Sequence, residues 1–382
     1  MDKKIKIMFV TGALSFGGLE RVVINLCKYI NRDYFEPLVV CLKSRGELAD
    51  EVEESGVTLY NINANKGRFA KYFTWISLRK IIHKEAVDII HSHNSAAFLD
   101  SSIALLTMPS KSFVHTDHAR IFPDKFRYMF AEYLASLRVD KIIAVSDELK
   151  RNLIKYEKIS PRKIEVVLNG ITEADEPLEK NIQSLKKEVL DKKYRFLIGL
   201  GVVLTKQKGI IHLIHAAHEI LKTFPDVGFL IAGDGPERQA LEFEVDRLAL
   251  TDNFIFLGFR KDIPDLLHLL DLYVFPSEWE GLPLAILEAM AAKRCILSTD
   301  VGGIPTALKN NENAILVPPK QPNLIAKKVI HLLQNEPLRQ KLADAAYQTF
   351  LEQIDVRIMV SRYERIYRES LGNDGLMCGD NK

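Results

Sequence analysis

Short apolar runs alternate with longer amphipathic stretches along almost the whole chain, and the rhythm plays through twice. In the first half the runs fall at residues 5–10, 38–41, 58–62, 88–91, 112–115, 141–145 and 164–168. Between them, residues 19–30, 69–83, 96–106, 125–137 and 147–155 show the apolar spacing of helices with one face on a core. Short strands separated by helices predict parallel βαβ units, because a parallel neighbour is reached only through a crossover. Asn169-Gly170 stops the last run, and residues 172–193 are polar, charge-rich and without a period, so they read as a linker. The rhythm then restarts, with strands at 196–200, 228–232, 254–257, 272–275, 295–298 and 314–317. Its helices fall at 210–223, 237–248, 264–269, 283–292, 322–333 and 338–351. A chain of 382 residues is too long for one ordinary doubly wound domain. The expectation is an α/β protein of two Rossmann-like doubly wound domains, 1–171 and 194–355, with ligands at the carboxyl ends of the strands. An amphipathic stretch at 356–371 is expected to be a helix lying back near the first domain, and 372–382 a disordered tail.

Apolar residues at 47% and charged ones at 27% suit a well-cored protein, and a net charge of +2 leaves no general field for gripping nucleic acid. From residue 66 to residue 163, however, 18 Lys and Arg face 10 Asp and Glu. That excess suits an anionic lipid or substrate, or an ordinary solvated surface. Cys27, Cys41, Cys295 and Cys378 show no paired spacing and read as free thiols in a reducing compartment. The apolar run at 5–10 is too short for a signal peptide, and no run approaches membrane-spanning length. A cytoplasmic protein is expected, with peripheral contact at the inner face of the plasma membrane.

The first strand ends in Thr11-Gly12-Ala13-Leu14-Ser15-Phe16-Gly17-Gly18, with a helix opening at Leu19. Glycines at such a turn let main-chain amides approach a phosphate at the positive end of a helix. Leu19 stands where a P-loop needs Ser or Thr, so ATP hydrolysis is disfavoured; a tight turn without ligand is the alternative. The most informative stretch is residues 276–290, Pro-Ser-Glu-Trp-Glu-Gly-Leu-Pro-Leu-Ala-Ile-Leu-Glu-Ala-Met. Pro283 suits a first helical position, so Gly281 and Leu282 would present amides at the helix start. Glu280 sits in the loop before it. Glu288 lies one helical turn from Leu284, Ala285, Ala291 and Ala292, and a carboxylate on so apolar a face needs donors such as paired ribose hydroxyls. A glutamate at the edge of a solvated stripe is the plainer reading.

Lys206 and Lys208 follow the 196–200 strand and could neutralise a departing diphosphate, or simply be solvated. Gly233-Asp234-Gly235-Pro236 is a turn at the same sheet edge, functional or structural. His91, His93, His115 and His118 cluster at two strand ends, but HExxH is missing and the chain holds no Asp-x-Asp, so no metal is expected. Basic and aromatic residues interleave at Lys66, Arg68, Phe69, Lys71, Phe73, Trp75, Arg79 and Lys80, as on a helix at a membrane surface or one packed on a core with a basic outer face.

Taken in order, these motifs resemble the family 4 retaining glycosyltransferases of the GT-B fold, over nearly the whole chain. Gly17-Gly18-Leu19-Glu20-Arg21 resembles the turn that contacts donor phosphates, and Phe113-Val114-His115-Thr116 the strand end whose histidine reaches the donor sugar. Lys208-Gly209 and Gly233-Asp234-Gly235-Pro236 match further family positions. Residues 276–290 match the most specific signature, two glutamates separated by seven residues. The resemblance implies two domains facing each other across a cleft that holds a nucleotide-diphosphate sugar. It gives His115, Glu280 and Lys208 catalytic roles. Donor contacts fall to Gly17, Gly18, Lys206, Gly281, Leu282, Pro283, Leu284 and Glu288, with Phe259 and Arg260 at the base. It also implies transfer to a hydroxyl acceptor, soluble or lipid-linked, with no cofactor and no metal. Two positions depart from the pattern. Val202-Val203-Leu204 stands where the family has Gly-Arg-Leu, so Lys206 is the candidate for the missing charge, and Thr306 replaces a glutamate. The competing readings are a sugar epimerase of the same fold, a catalytically silent nucleotide-sugar-binding partner and, more remotely, a nicotinamide dehydrogenase.

Overall fold

A computed structural model describes residues 3–15, 17–63, 73–118, 122–173, 179–189 and 194–372. The chain divides into two compact units, Met1–Gly170 with Val356–Lys382, and Ile171–Asp355.

The first unit carries strands β1 (Ile5–Thr11), β2 (Phe35–Cys41), β3 (Thr58–Asn61), β4 (Ile89–His93), β5 (Ser112–Asp117), β6 (Lys141–Ala144) and β7 (Ile164–Val166). All pair in parallel, in the order β3-β2-β1-β4-β5-β6-β7. The order reverses beside β1 and opens a crevice at the strand ends. Helices α1 (Gly18–Tyr29), α2 (Ala49–Glu54), α3 (Thr74–Lys84), α4 (Ser95–Leu105), α5 (Phe126–Arg138) and α6 (Asp147–Glu157) cover the sheet. Side chains alternate across each strand, so one face packs Ile7, Phe9, Val114 and Ile143 against α1. The other packs Met8, Val10, Ile90 and Phe113 against Leu78, Phe98 and Leu105. The Asn94 side chain accepts from the Ala97 amide and Ser146 from the Leu149 amide, satisfying amide groups that open α4 and α6.

The second unit holds β8 (Phe196–Gly201), β9 (Val227–Ala232), β10 (Phe254–Gly258), β11 (Leu272–Phe275), β12 (Ile296–Thr299) and β13 (Ile315–Val317), again all parallel, in the order β10-β9-β8-β11-β12-β13. Its helices are α7 (Glu179–Val189), α8 (Ile210–Thr223), α9 (Arg238–Arg247), α10 (Ile263–Leu269), α11 (Leu284–Ala291), α12 (Ile304–Ala307), α13 (Pro322–Gln334) and α14 (Glu336–Thr349). The last helix, α15 (Val356–Ser370), belongs to the first unit. There Tyr363 and Tyr367 are buried against α1, and Glu364 accepts from the Asn31 amide at 2.7 Å.

Each expected strand forms, but several run further than the apolar pattern. β4 and β5 continue to His93 and Asp117 because the apolar run marks only the core of a strand, while polar residues finish it at the ligand edge. The expected linker is corrected: residues 179–189 form α7, with Leu185 buried and Ile182 half-buried one turn away. The apolar spacing of this helix is masked by the charges around it. Helices α2 and α12 have no counterpart among the expected elements. Cys27, Cys41 and Cys295 are buried free thiols, each pushed up to about 12 by burial. Cys378, with residues 373–382 of the expected tail, lies outside the described residues, as do Lys66, Arg68, Phe69 and Lys71. Among the described residues no helix is long and apolar enough to cross a membrane.

The loop after β12 braces the loop after β11. Gly302 has φ +61, and a Cβ there would stand 1.9 Å from the Glu280 carbonyl oxygen. The Gly303 amide donates to the Gly281 carbonyl at 2.6 Å. Gly302→Ala is therefore expected to lower stability by about 1–3 kcal/mol, since an L-residue is strained in this conformation and must displace the Glu280 main chain. Urea unfolding checks this, and an unchanged midpoint would contradict the contact.

Candidate active site

In the second unit, two loops at the carboxyl edge of the sheet are joined by their main chains. After β8 the chain makes a tight turn at Lys206–Lys208, and Gly209, at φ +60, opens α8. A Cβ on Gly209 would lie 2.2 Å from the Pro276 carbonyl oxygen, so only glycine lets this turn rest on the loop after β11. The Glu278 amide donates to the Gln207 carbonyl at 2.8 Å, which fixes the two loops in register.

That register brings Lys208 and Glu280 together. The Lys208 ammonium donates to Glu280 Oε1 at 2.6 Å, with side chains only 17% and 5% exposed. Ser277 donates to the same oxygen at 2.8 Å, and the Gln207 amide donates to Oε2 at 3.2 Å. The ammonium also stands 5.3 Å from the centre of the Phe275 ring. Ser277 is held in turn by the Thr299 hydroxyl, which donates to its carbonyl at 2.6 Å. Glu278 points elsewhere: burial opposes its charge, but Lys320 and His212 together hold its carboxyl below the usual range. Neither Gln207 nor Ser277 was singled out from the sequence. Ser277 lies three residues before Glu280, and that proximity was the available signal.

Helix α11 begins at Leu284 rather than Pro283, which takes the capping position with extended backbone and no side-chain cap. Gly281, Leu282 and Pro283 are buried, and Glu288 is half-buried one turn into the helix. Phe259 is exposed, while Arg260 forks onto Asp262 at 2.8 and 2.6 Å. Lys206 is separated from the Lys208–Glu280 pair: it is exposed and lines a hollow with Thr205, Glu237 and Glu278. The Gly233–Pro236 turn has a structural cause. A Cβ on Gly233 would lie 1.8 Å from the Val202 carbonyl oxygen, and the Leu204 amide donates to the Asp234 carbonyl at 2.9 Å.

In the first unit, His115 is buried at the end of β5, stacked at 4.0 Å on Phe98, with Nδ1 3.0 Å from both Ser92 oxygens. The other histidines form a neutral cluster. His91 is hydrogen-bonded to Tyr367 and Thr116, both at 2.8 Å, and His93 to His118 at 3.2 Å. Burial, reinforced by the neighbouring rings, pushes His91 and His93 well below the usual imidazole range, and burial pushes His118 down to about 3. Among the described residues no three His, Cys, Asp or Glu side chains are grouped to hold a metal ion. Gly17 and Gly18 are exposed at the start of α1, where the Glu20 carboxylate lies over Gly17. Burial raises the Glu20 carboxyl, and its own amide partly offsets this. This helix start therefore already faces a carboxylate.

Residues 16–175 match the family model described as Glycosyltransferase Family 4, and residues 180–349 the one described as Glycosyl transferases group 1. The chain is 30% identical over 331 residues to the UDP-Gal:alpha-D-GlcNAc-diphosphoundecaprenol alpha-1,3-galactosyltransferase of Escherichia coli, covering 82% of this chain and 84% of the relative. A glycosyltransferase structure from Rickettsia africae ESF-5 superposes with a TM-score of 0.85 at 25% identity, covering 97% of this chain and all of that one. Anabaena HepE, solved with UDP, shares the fold with a TM-score of 0.84 at 21% identity, covering 96% of this chain and all of that one. With two parallel, doubly wound sheets and these matches, the chain belongs to glycosyltransferase family 4 and is a nucleotide-sugar-dependent glycosyltransferase of the GT-B fold.

Proposed function

We propose that this transferase acts with retention at the anomeric carbon, and that the second unit binds the donor diphosphate where Lys208 meets Glu280. The carrying observation is the fixed ammonium: Lys208 is oriented by Glu280, which Ser277 and Gln207 also hold, so its charge needs little reorganisation. In this reading the bond from the anomeric carbon to the diphosphate oxygen breaks, and Lys208 with the opening amides of α11 stabilises the leaving charge. The acceptor oxygen bonds to the same face of the carbon, and its proton passes to an oxygen of the departing diphosphate. Glu280 and His115 position the sugar, Glu288 accepts from the ribose hydroxyls, and Gly17 and Gly18 contact phosphate once Glu20 gives way. The base lies near Phe259 and Arg260. The E. coli relative is named for a UDP-sugar and a lipid-diphosphate acceptor, which favours a uridine donor and a lipid-linked acceptor here. The relatives give no support to an epimerase.

The lipid-linked reading also gains from α5. Phe126 and Leu137 are 77% and 64% exposed, and Phe130 and Leu134 lie between them along the same helix. Leu106, at the end of the neighbouring α4, is exposed too, and Lys125 and Arg127 flank the stripe. Apolar rings bordered by cations suit an anionic lipid surface better than bulk water.

Glu280→Gln should lower kcat by about 100-fold, since a misplaced sugar loses its reacting geometry, with a much smaller change in UDP affinity. Full turnover in a folded variant would remove Glu280 from the reaction. Metal independence belongs to the same proposal, so activity should survive excess EDTA, and complete loss reversed by magnesium or manganese would contradict it. The protein should sediment with anionic liposomes at low salt and be released as ionic strength rises. Replacing Phe126 and Phe130 by Ser should weaken that binding without altering UDP affinity. Failure of the native protein to sediment would point to a soluble acceptor.

A further inference from the structure

In the first unit, β1, β4 and β5 are consecutive in the sheet and end at the carboxyl edge where the strand order reverses. Phe9 pairs with His91 and Val10 with Ser92, so Thr11 and His93 are the next residues of their strands. Side chains two apart share a face, and the Phe9 ring lies 5.5 Å from His91 and 6.1 Å from His93. Thr11 and both imidazoles therefore stand on the face covered by α1 and α15. Beside them the polar groups of that face are paired: His91 with Tyr367 and Thr116, and Thr116 with Tyr363 at 3.1 Å. At the strand ends the pairing stops. Thr11 and His93 are both 0% exposed, yet Thr11 Oγ1 and His93 Nε2 have no hydrogen-bond partner among the described residues. Two buried orphans on neighbouring strand ends call for an occupant.

Half-exposed groups border them. Asn94 accepts from the Ala97 amide through Oδ1, and its side-chain nitrogen lies 3.4 Å from where a Cβ on Gly12 would stand. His118 follows the end of β5, with Nε2 3.2 Å from His93 Nδ1. Burial keeps both rings neutral, well below the usual imidazole range. Whichever ring donates within the pair, the two far nitrogens are left as one donor and one acceptor. None of the four side chains carries a charge. Such a set matches hydroxyls, which both donate and accept, better than a phosphate, which needs donors or cations.

We propose that Thr11, His93, Asn94 and His118 form an acceptor subsite, in which Asn94 and His118 meet hydroxyls of a neutral sugar ring and Thr11 and His93 hold a water beneath it. That water has Thr11, His93 and a ring hydroxyl as partners, enough to keep it in a buried position. The inference rests on the proposed reading in which the second unit takes the donor, and it gives the acceptor an uncharged sugar ring.

The test is saturation-transfer NMR with methyl α-glucoside, α-galactoside, α-mannoside and α-N-acetylglucosaminide, each titrated onto UDP-saturated protein. The proteins compared are the native chain, Thr11→Val, Asn94→Gly and Glu280→Gln. Valine keeps the shape of threonine, and glycine suits the φ of 72° at position 94 and costs the helix cap little, so both variants should melt as the native protein does. At least one glycoside should bind the native protein, with Kd raised about fivefold or more in Thr11→Val and in Asn94→Gly. Glu280→Gln should leave that Kd unchanged, and calorimetry should find UDP affinity unchanged in both first-unit variants. If no glycoside binds the native protein, the orphaned groups hold water alone and the inference is overturned. Binding that survives Thr11→Val and Asn94→Gly overturns it too, and if that binding is lost in Glu280→Gln the ring lies on the donor side. Weaker UDP binding in either first-unit variant would instead contradict the assignment of the donor to the second unit. A lower melting temperature accompanying the weaker glycoside binding would make these side chains folding elements and overturn the subsite.

Discussion

A lysine and a glutamate that are both largely out of water, 2.6 Å apart, set the terms for everything around them. Taking two charges from water costs several kcal/mol each, and mutual attraction offsets this only with good geometry and further hydrogen bonds. Ser277 and Gln207 supply those bonds to Glu280, and Phe275 lies beneath Lys208. Such a pair is a poor device for stability alone. It is a good one for holding a cation at a fixed point, where a diphosphate can share it without waiting for a flexible side chain to order.

The fold serves that geometry through close main-chain contacts. Gly209 lets the Lys206–Lys208 turn lie on Pro276, and Gly302 lets the loop after β12 lie on Glu280. The parallel sheet delivers all three loops to one edge, because β8, β11 and β12 are neighbours running in the same direction. Charge, loop register and sheet order are thus one arrangement, in which a change at Gly302 reaches Glu280 through the main chain.

Much of this was legible in the amino-acid sequence, since periodicity alone marks strands buried on both faces and helices buried on one. The signature at residues 276–290 and the lysine before Gly209 pointed to the residues the structure brings together as Lys208 and Glu280. The pairing itself was hidden, because 72 positions separate the partners and only the sheet order joins them. Helix α7 was hidden because its few apolar residues, Ile182, Leu185 and Val189, stand amid charged and polar neighbours. Lys206 shows the opposite limit. Proximity in sequence made it a candidate for the missing charge, yet it borders Glu237 and Glu278 rather than Glu280.

In the proposed reading, Lys208 recognises the donor diphosphate. It is tested most directly by measuring UDP and UMP affinities for the native protein and for Lys208→Met, a change that retains the length of the side chain and removes its charge. The native preference for UDP over UMP should shrink at least tenfold in the variant, while UMP affinity changes little. A folded Lys208→Met protein that keeps the full preference for UDP would contradict it.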